Sequence, residues 1–76
     1  MPERGLMMVY RIYPSWFGGE SAKPIVELAH GSADRMGRRV LAIDVFKNSN
    51  DWRGEFIDFR VTYTSTVAHD WMQRKP

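Results

Sequence analysis

Two aspartates are the first residues whose type and spacing could do chemistry. Asp44 and Asp58 stand in two runs rich in β-formers, RVLAIDVF (39–46) and EFIDFRVTYT (55–64). Paired as a hairpin with Lys47 opposite Glu55 and Phe46 opposite Phe56, these runs bring the two carboxylates face to face. Carboxylates that close could hold a divalent cation or divide the roles of acid and base. The same alternation puts Arg11 and Arg60 on that face, so a salt-bridge network accounts for the pair without a metal or a reaction. A register two residues away would set Asp44 against Arg60 directly and remove the like-charge contact.

The histidines supply little more. His30 and Asp34 lie one turn apart on the polar side of a helical pattern, where solvated residues are usual, and His69 adjoins Asp70. No serine stands in a nucleophile-elbow context, so no nucleophile, base and orienting group come together. The glycines at 18, 19, 31 and 37 form neither GxGxxG nor a phosphate loop and read as turns and a helix stop. The sequence therefore offers no catalytic set, no metal site and no cofactor motif.

What remains is a basic and aromatic set. Arg35, Arg38 and Arg39 gather where a helix would end and a strand begin. Lys47 and Arg53 flank a turn with Trp52 at its tip. Arg11, Arg60, Phe46 and Phe56 share the outer face of the sheet. Arginine interleaved with aromatics can hold phosphates and stack bases, and the same residue types dominate protein–protein hot spots. Asp34, Asp51 and Glu55 are scattered among the cations and dilute any field that would track a nucleic-acid backbone. Trp52 is the sharpest observation. It stands in NSNDWRG, whose composition reads as an exposed loop, and a Trp left there forgoes its burial energy unless it folds back or meets a partner. Trp16 and Phe17 pose the same question in PSWFGGES (14–21).

The elements that carry these residues follow from periodicity. Residues 1–6 read as a disordered lead-in and 7–76 as one α+β domain. MMVYRIY (7–13) is the first strand, stopped by Pro14. Residues 24–36 give a helix with Pro24 in its first turn, Ile25, Leu28, Ala29, Ser32, Ala33 and Met36 on one side, and Gly37 as its stop. A rival reading makes PIVELA a strand hairpinned to the first. Two further strands follow, joined by KNSNDWRG as a turn. Leu41, Ile43 and Val45 then share a core face with Ile57, Phe59, Val61 and Tyr63. A last short helix spans 66–74, docked by Val67 and Trp71. The sum is β-α-β-β-α, a three-stranded and mostly antiparallel sheet, with the third strand able to lie between the first two.

Composition bounds the rest. The chain has 76 residues, so one core. It has no cysteine, which excludes disulfides and thiolate metal sites and fits a reducing cytoplasm. A net charge of +2 is only mildly basic and excludes an acidic mimic of DNA. No long apolar run suggests a signal peptide or membrane span.

In size and organisation, short, free of cysteine, α+β and without a catalytic motif, the chain resembles the small proteins of phages and mobile elements, anti-CRISPR inhibitors among them. The resemblance is one of class, and no family signature is matched. It implies a non-enzymatic stoichiometric inhibitor that docks on a larger protein or nucleoprotein complex. The alternative is a small nucleic-acid-binding protein, for RNA or single-stranded DNA, and homodimerisation through the outer face is compatible with either.

Overall fold

The structure is a computed structural model and describes residues 5–65. Its elements run strand β1 (Leu6–Ile12), a 3₁₀ turn (Pro14–Phe17), helix α1 (Ala22–Met36), strand β2 (Val40–Asp51) and strand β3 (Gly54–Tyr63). The sheet order is β1-β3-β2, with β3 antiparallel to both neighbours. The third strand in sequence is thus the middle one in space. The helix expected over 66–74 lies outside the described residues.

The helical reading of 24–36 holds, and the strand alternative for PIVELA does not. Helix α1 starts two residues earlier, at Ala22, with Pro24 buried in the first turn, where a missing N–H costs no ladder bond. Gly37 ends it at φ 69°. Its N–H and that of Arg38 return to the carbonyls of Asp34 and Ala33 at 3.2 and 2.8 Å, satisfying the last turn. Ile25, Ala29, Ser32 and Ala33 are buried, as the periodicity predicts, while Glu27, His30 and Asp34 face solvent.

The core joins this helix face to Ile12, Ile57, Phe59, Val61 and Tyr63. The middle strand β3 is covered most completely, and Phe59, Val61 and Tyr63 are its largest fully buried side chains. Inside the core the Tyr10 and Tyr63 hydroxyls share a hydrogen bond of 2.8 Å. Burial, and then that bond, push the Tyr63 phenol up to about 12.

Strand β1 starts one residue earlier than expected, because Leu6 already pairs with Tyr63; residues 1–4 of the expected lead-in lie outside the described residues. Gly5 passes so close to β3 that a Cβ there would stand 2.7 Å from the Thr62 methyl and 2.9 Å from the Tyr63 carbonyl oxygen, so only glycine fits.

The hairpin register differs from the one expected. Residues 47–51 continue β2, and the turn shrinks to Trp52 and Arg53, between the paired Asp51 and Gly54. Lys47 faces Asp58 instead of Glu55, Phe56 faces Ser49 instead of Phe46, and Asp44 faces Arg60 instead of Asp58. The observed register removes the like-charge pair, which is the physical reason to prefer it. Irregularities between Val40 and Ala42 and between Val45 and Lys47 absorb the offset, each inserting one residue, Leu41 and Phe46. Leu41 and Val45, expected in the core, are therefore exposed. Leu41 is the inserted residue of a bulge, and Val45 lies on the uncovered flank of an edge strand, although its partner Phe59 is buried.

Candidate partner-binding site

The distal end of the sheet holds a connected polar and aromatic cluster built around Asp51. This residue ends β2, and its carboxylate receives three groups. The Arg53 backbone N–H donates to Oδ1 at 2.7 Å, which closes the turn through a side chain. The Tyr13 hydroxyl donates to Oδ2 at 2.8 Å from beyond the end of β1. Arg11 Nη1 lies 3.8 Å from the same oxygen. Burial works against the charged carboxylate, but the Tyr13 and Arg53 hydrogen bonds and the charges of Arg53 and Arg11 outweigh it, so its pKa falls below the ordinary aspartate value.

Arg11 ties this cluster to the middle strand. Its Nε and Nη2 donate to the two carboxylate oxygens of Asp58 at 2.6 and 2.9 Å, a bidentate fork. The fork lowers the Asp58 pKa and raises that of Arg11. The guanidinium carbon also sits 3.7 Å from the centre of the Phe56 ring, with Lys47 Nζ at 5.9 Å. Phe56 is consequently only 4% exposed, although its alternation sends it to the outer face. Tyr13 meets it edge-on with ring centres 6.0 Å apart.

Above this base stands the tip. The Arg53 guanidinium lies 4.9 Å from the Tyr13 ring centre and 4.9 Å from that of Trp52, stacked near both. Trp52 itself is 87% exposed, the most exposed of the large apolar side chains among the described residues. Trp16 packs on Tyr13 with ring centres 4.7 Å apart yet keeps more than half its surface in solvent, and Phe17 beside it is also exposed. The assembly is an exposed indole and a cation on a short turn, held from below by hydrogen-bonded carboxylates.

The residues singled out from the sequence separate into groups. Trp52, Arg53, Lys47, Arg11 and Phe56 come together here, with Phe56 and Arg11 as the support under the tip. Phe46 is exposed in its bulge on β2. Arg60 lies mid-sheet opposite Asp44 and Val9. Arg35, Arg38 and Arg39 sit at the other end of the molecule, where α1 finishes. There Arg35 donates to the Ser32 hydroxyl at 3.2 Å and Arg38 to the Thr64 carbonyl at 2.6 Å, while the Arg39 N–H donates to the Thr64 hydroxyl. Those three arginines do not join the tip. Asp51, which organises it, was readable in the sequence only as an aspartate two residues before an arginine in a turn.

Among the described residues no group of three or more His, Asp or Glu side chains could hold a metal ion, and no helix is long and apolar enough to cross a membrane. No protein-family model matches the chain, and comparison with curated proteins and with solved structures returns no match.

Proposed function

We propose that this chain is a non-enzymatic binding protein that engages a larger protein through the Trp52–Arg53 tip of its β2–β3 hairpin. The observation that carries the reading is Trp52, a side chain 87% exposed on a turn whose backbone is fixed by Asp51. With the backbone held, the indole has only its two side-chain torsions to order when it enters a pocket, which suits an interface anchor. Arg53, stacked against the same ring, adds a charge that selects for an acidic rim around that pocket.

The candidate acid–base groups support the non-enzymatic part. Asp58 is committed to Arg11, Asp44 faces Arg60 across the ladder, and His30 and Asp34 lie on the solvent side of α1. In its narrower form the proposal is a stoichiometric inhibitor of a protein or nucleoprotein complex, of the kind the class resemblance implies.

The test is comparative capture. Wild-type protein and the variants Trp52→Ala and Arg53→Ala are used as baits in lysate of the source cell, and a captured protein is then titrated by calorimetry. One-to-one binding that either variant weakens by about 30-fold, on the order of 2 kcal/mol, supports the tip. Equal affinity for all three baits removes it. The stacked Arg53 and Trp52 also favour single-stranded nucleic acid as a second reading. That reading predicts a gel shift with a single-stranded oligonucleotide that weakens steeply as salt rises.

A further inference from the structure

Both outer strands of this sheet have a free edge among the described residues, and the two edges differ. Strand β2 is interrupted twice, at Leu41 and Phe46, and such bulges spoil a ladder for any incoming strand. Strand β1 has no bulge, no proline and an unbroken register with β3 from Leu6 to Ile12. Its free side presents the backbone N–H and C=O groups of alternate residues, those not turned toward β3. Three consecutive apolar residues near its middle lie in solvent, with exposures of 60% for Met7, 39% for Met8 and 63% for Val9. Because they alternate across the strand, the exposure affects both faces of the sheet at this edge. Among the described residues none of the devices that usually guard an edge is present, since the strand's sole charge, on Arg11, is turned to Asp58.

We propose that β1 pairs antiparallel with β1 of a second copy of the chain, about a two-fold axis at Val9, to give a continuous six-stranded sheet. The row is self-complementary in that arrangement. Val9 meets Val9 of the second copy, Met8 meets Tyr10, Met7 meets Arg11 and Leu6 meets Ile12. No two like charges stand opposite, and the cation on each side is already balanced by Asp58 of its own chain. The centre of the strand is the axis that pairs the most residues. The bulges of β2 disfavour the rival head-to-tail pairing of β1 with β2, which would propagate into fibres, so the association closes as a dimer. This edge lies across the sheet from β2, and the proposal stands independently of the role given to Trp52. A single strand pairing is small beside the roughly 1,000 Å² that specific interfaces usually exceed, so the dimer is expected to be weak and to form only as protein concentration rises.

The experiment uses the full chain, whose lack of cysteine makes introduced thiols unambiguous. Sedimentation velocity from about 10 µM to about 1 mM is expected to show monomer passing to dimer as concentration rises. Val9→Lys and Val9→Glu, each checked for folding by circular dichroism, are expected to stay monomeric alone and to form a heterodimer when mixed. Only a two-fold axis at this residue brings those two side chains together. Val9→Cys is expected to oxidise to a disulfide-linked dimer well ahead of Leu41→Cys, a comparably exposed control on the bulged edge, because opposed residues in an antiparallel pair have Cα atoms within disulfide range. A wild-type chain monomeric throughout the range, dimers that persist in Val9→Lys alone, or equal oxidation of the two thiol variants each overturns the proposal.

Discussion

Trp52 and Phe56 stand four residues apart in one hairpin, and the structure assigns them opposite energetic roles. A tryptophan side chain offers up to about 250 Å² for burial. With 87% of Trp52 exposed, about 30 Å² is withheld from water, or ~0.8 kcal/mol at ~25 cal/mol per Å². Trp52→Ala should therefore cost less than about 1 kcal/mol of stability. Phe56 is only 4% exposed, and removing its ring would leave Arg11, Lys47 and Tyr13 around a void. Phenylalanine truncations of that kind cost about 3–5 kcal/mol. Because one wall here is a partly exposed guanidinium that can settle inward, about 3 kcal/mol is the expected value. The assay is urea unfolding followed by far-UV circular dichroism. With a slope near 1 kcal/mol per molar for so small a domain, Trp52→Ala should move the midpoint by under about 1 M. Phe56→Ala should remove most of the transition. A Trp52→Ala variant that loses about 2 kcal/mol or more would mean that the indole packs on the protein in solution, and the tip would then have no free anchor. A near-neutral Phe56→Ala would contradict the support described beneath it.

Further outcomes follow from the same geometry. Gly31 lies inside α1, and a Cβ there would meet only Arg35 Nη1, at 3.8 Å. Gly31→Ala should raise stability by about 0.5–1 kcal/mol in thermal unfolding, whereas Gly5→Ala, which meets Thr62 and the Tyr63 carbonyl, should lower it. The pKa values of Asp51 and Asp58 are depressed on folding, so their stabilising effect is fully present above the ordinary aspartate range and drains away as pH falls through the lowered values. Acid titration of Arg11→Met, followed by fluorescence, should show a shallower loss. The Tyr63 phenol is raised instead, so its contribution is intact below pH 10 and fades as pH rises toward about 12. Tyr63→Phe should flatten that alkaline limb, and an unchanged limb would show that another group governs it.

The sequence made helix α1 legible because apolar spacing, Pro24 and Gly37 all pointed the same way. The alternation of β3 was equally clear, since that strand is covered on the helix side along most of its length and its inward row must be apolar. Strand β2 was harder. As an edge strand it can carry Asn48, Ser49 and Asn50 within the ladder, and their composition imitates a turn. Its two bulges, which periodicity does not reveal, moved Leu41 and Phe46 out of the simple alternation. The register was partly readable from charge, because an offset of two residues sets Asp44 against Arg60 in place of Asp58. At the tip, Trp52 and Arg53 stood out by type. Tyr13 and Asp51, 38 residues apart, could be joined only once the strand ends were known to meet.

The middle position of β3 bears on how the chain is made. β1 and β2 are not neighbours, so neither forms a ladder until β3 arrives between them. The Tyr10–Tyr63 contact alone spans 53 residues. A nascent chain emerging from its N-terminus can coil α1 early but has no sheet to dock it on before residues 54–63 have been made. Sheet formation is thereby deferred until β3 is available and rests on long-range closure, which slows it. Prematurely terminated products that lack residues 54–63 would be left with two unpaired strands and no core, and quality-control proteases would meet them as unfolded polypeptide.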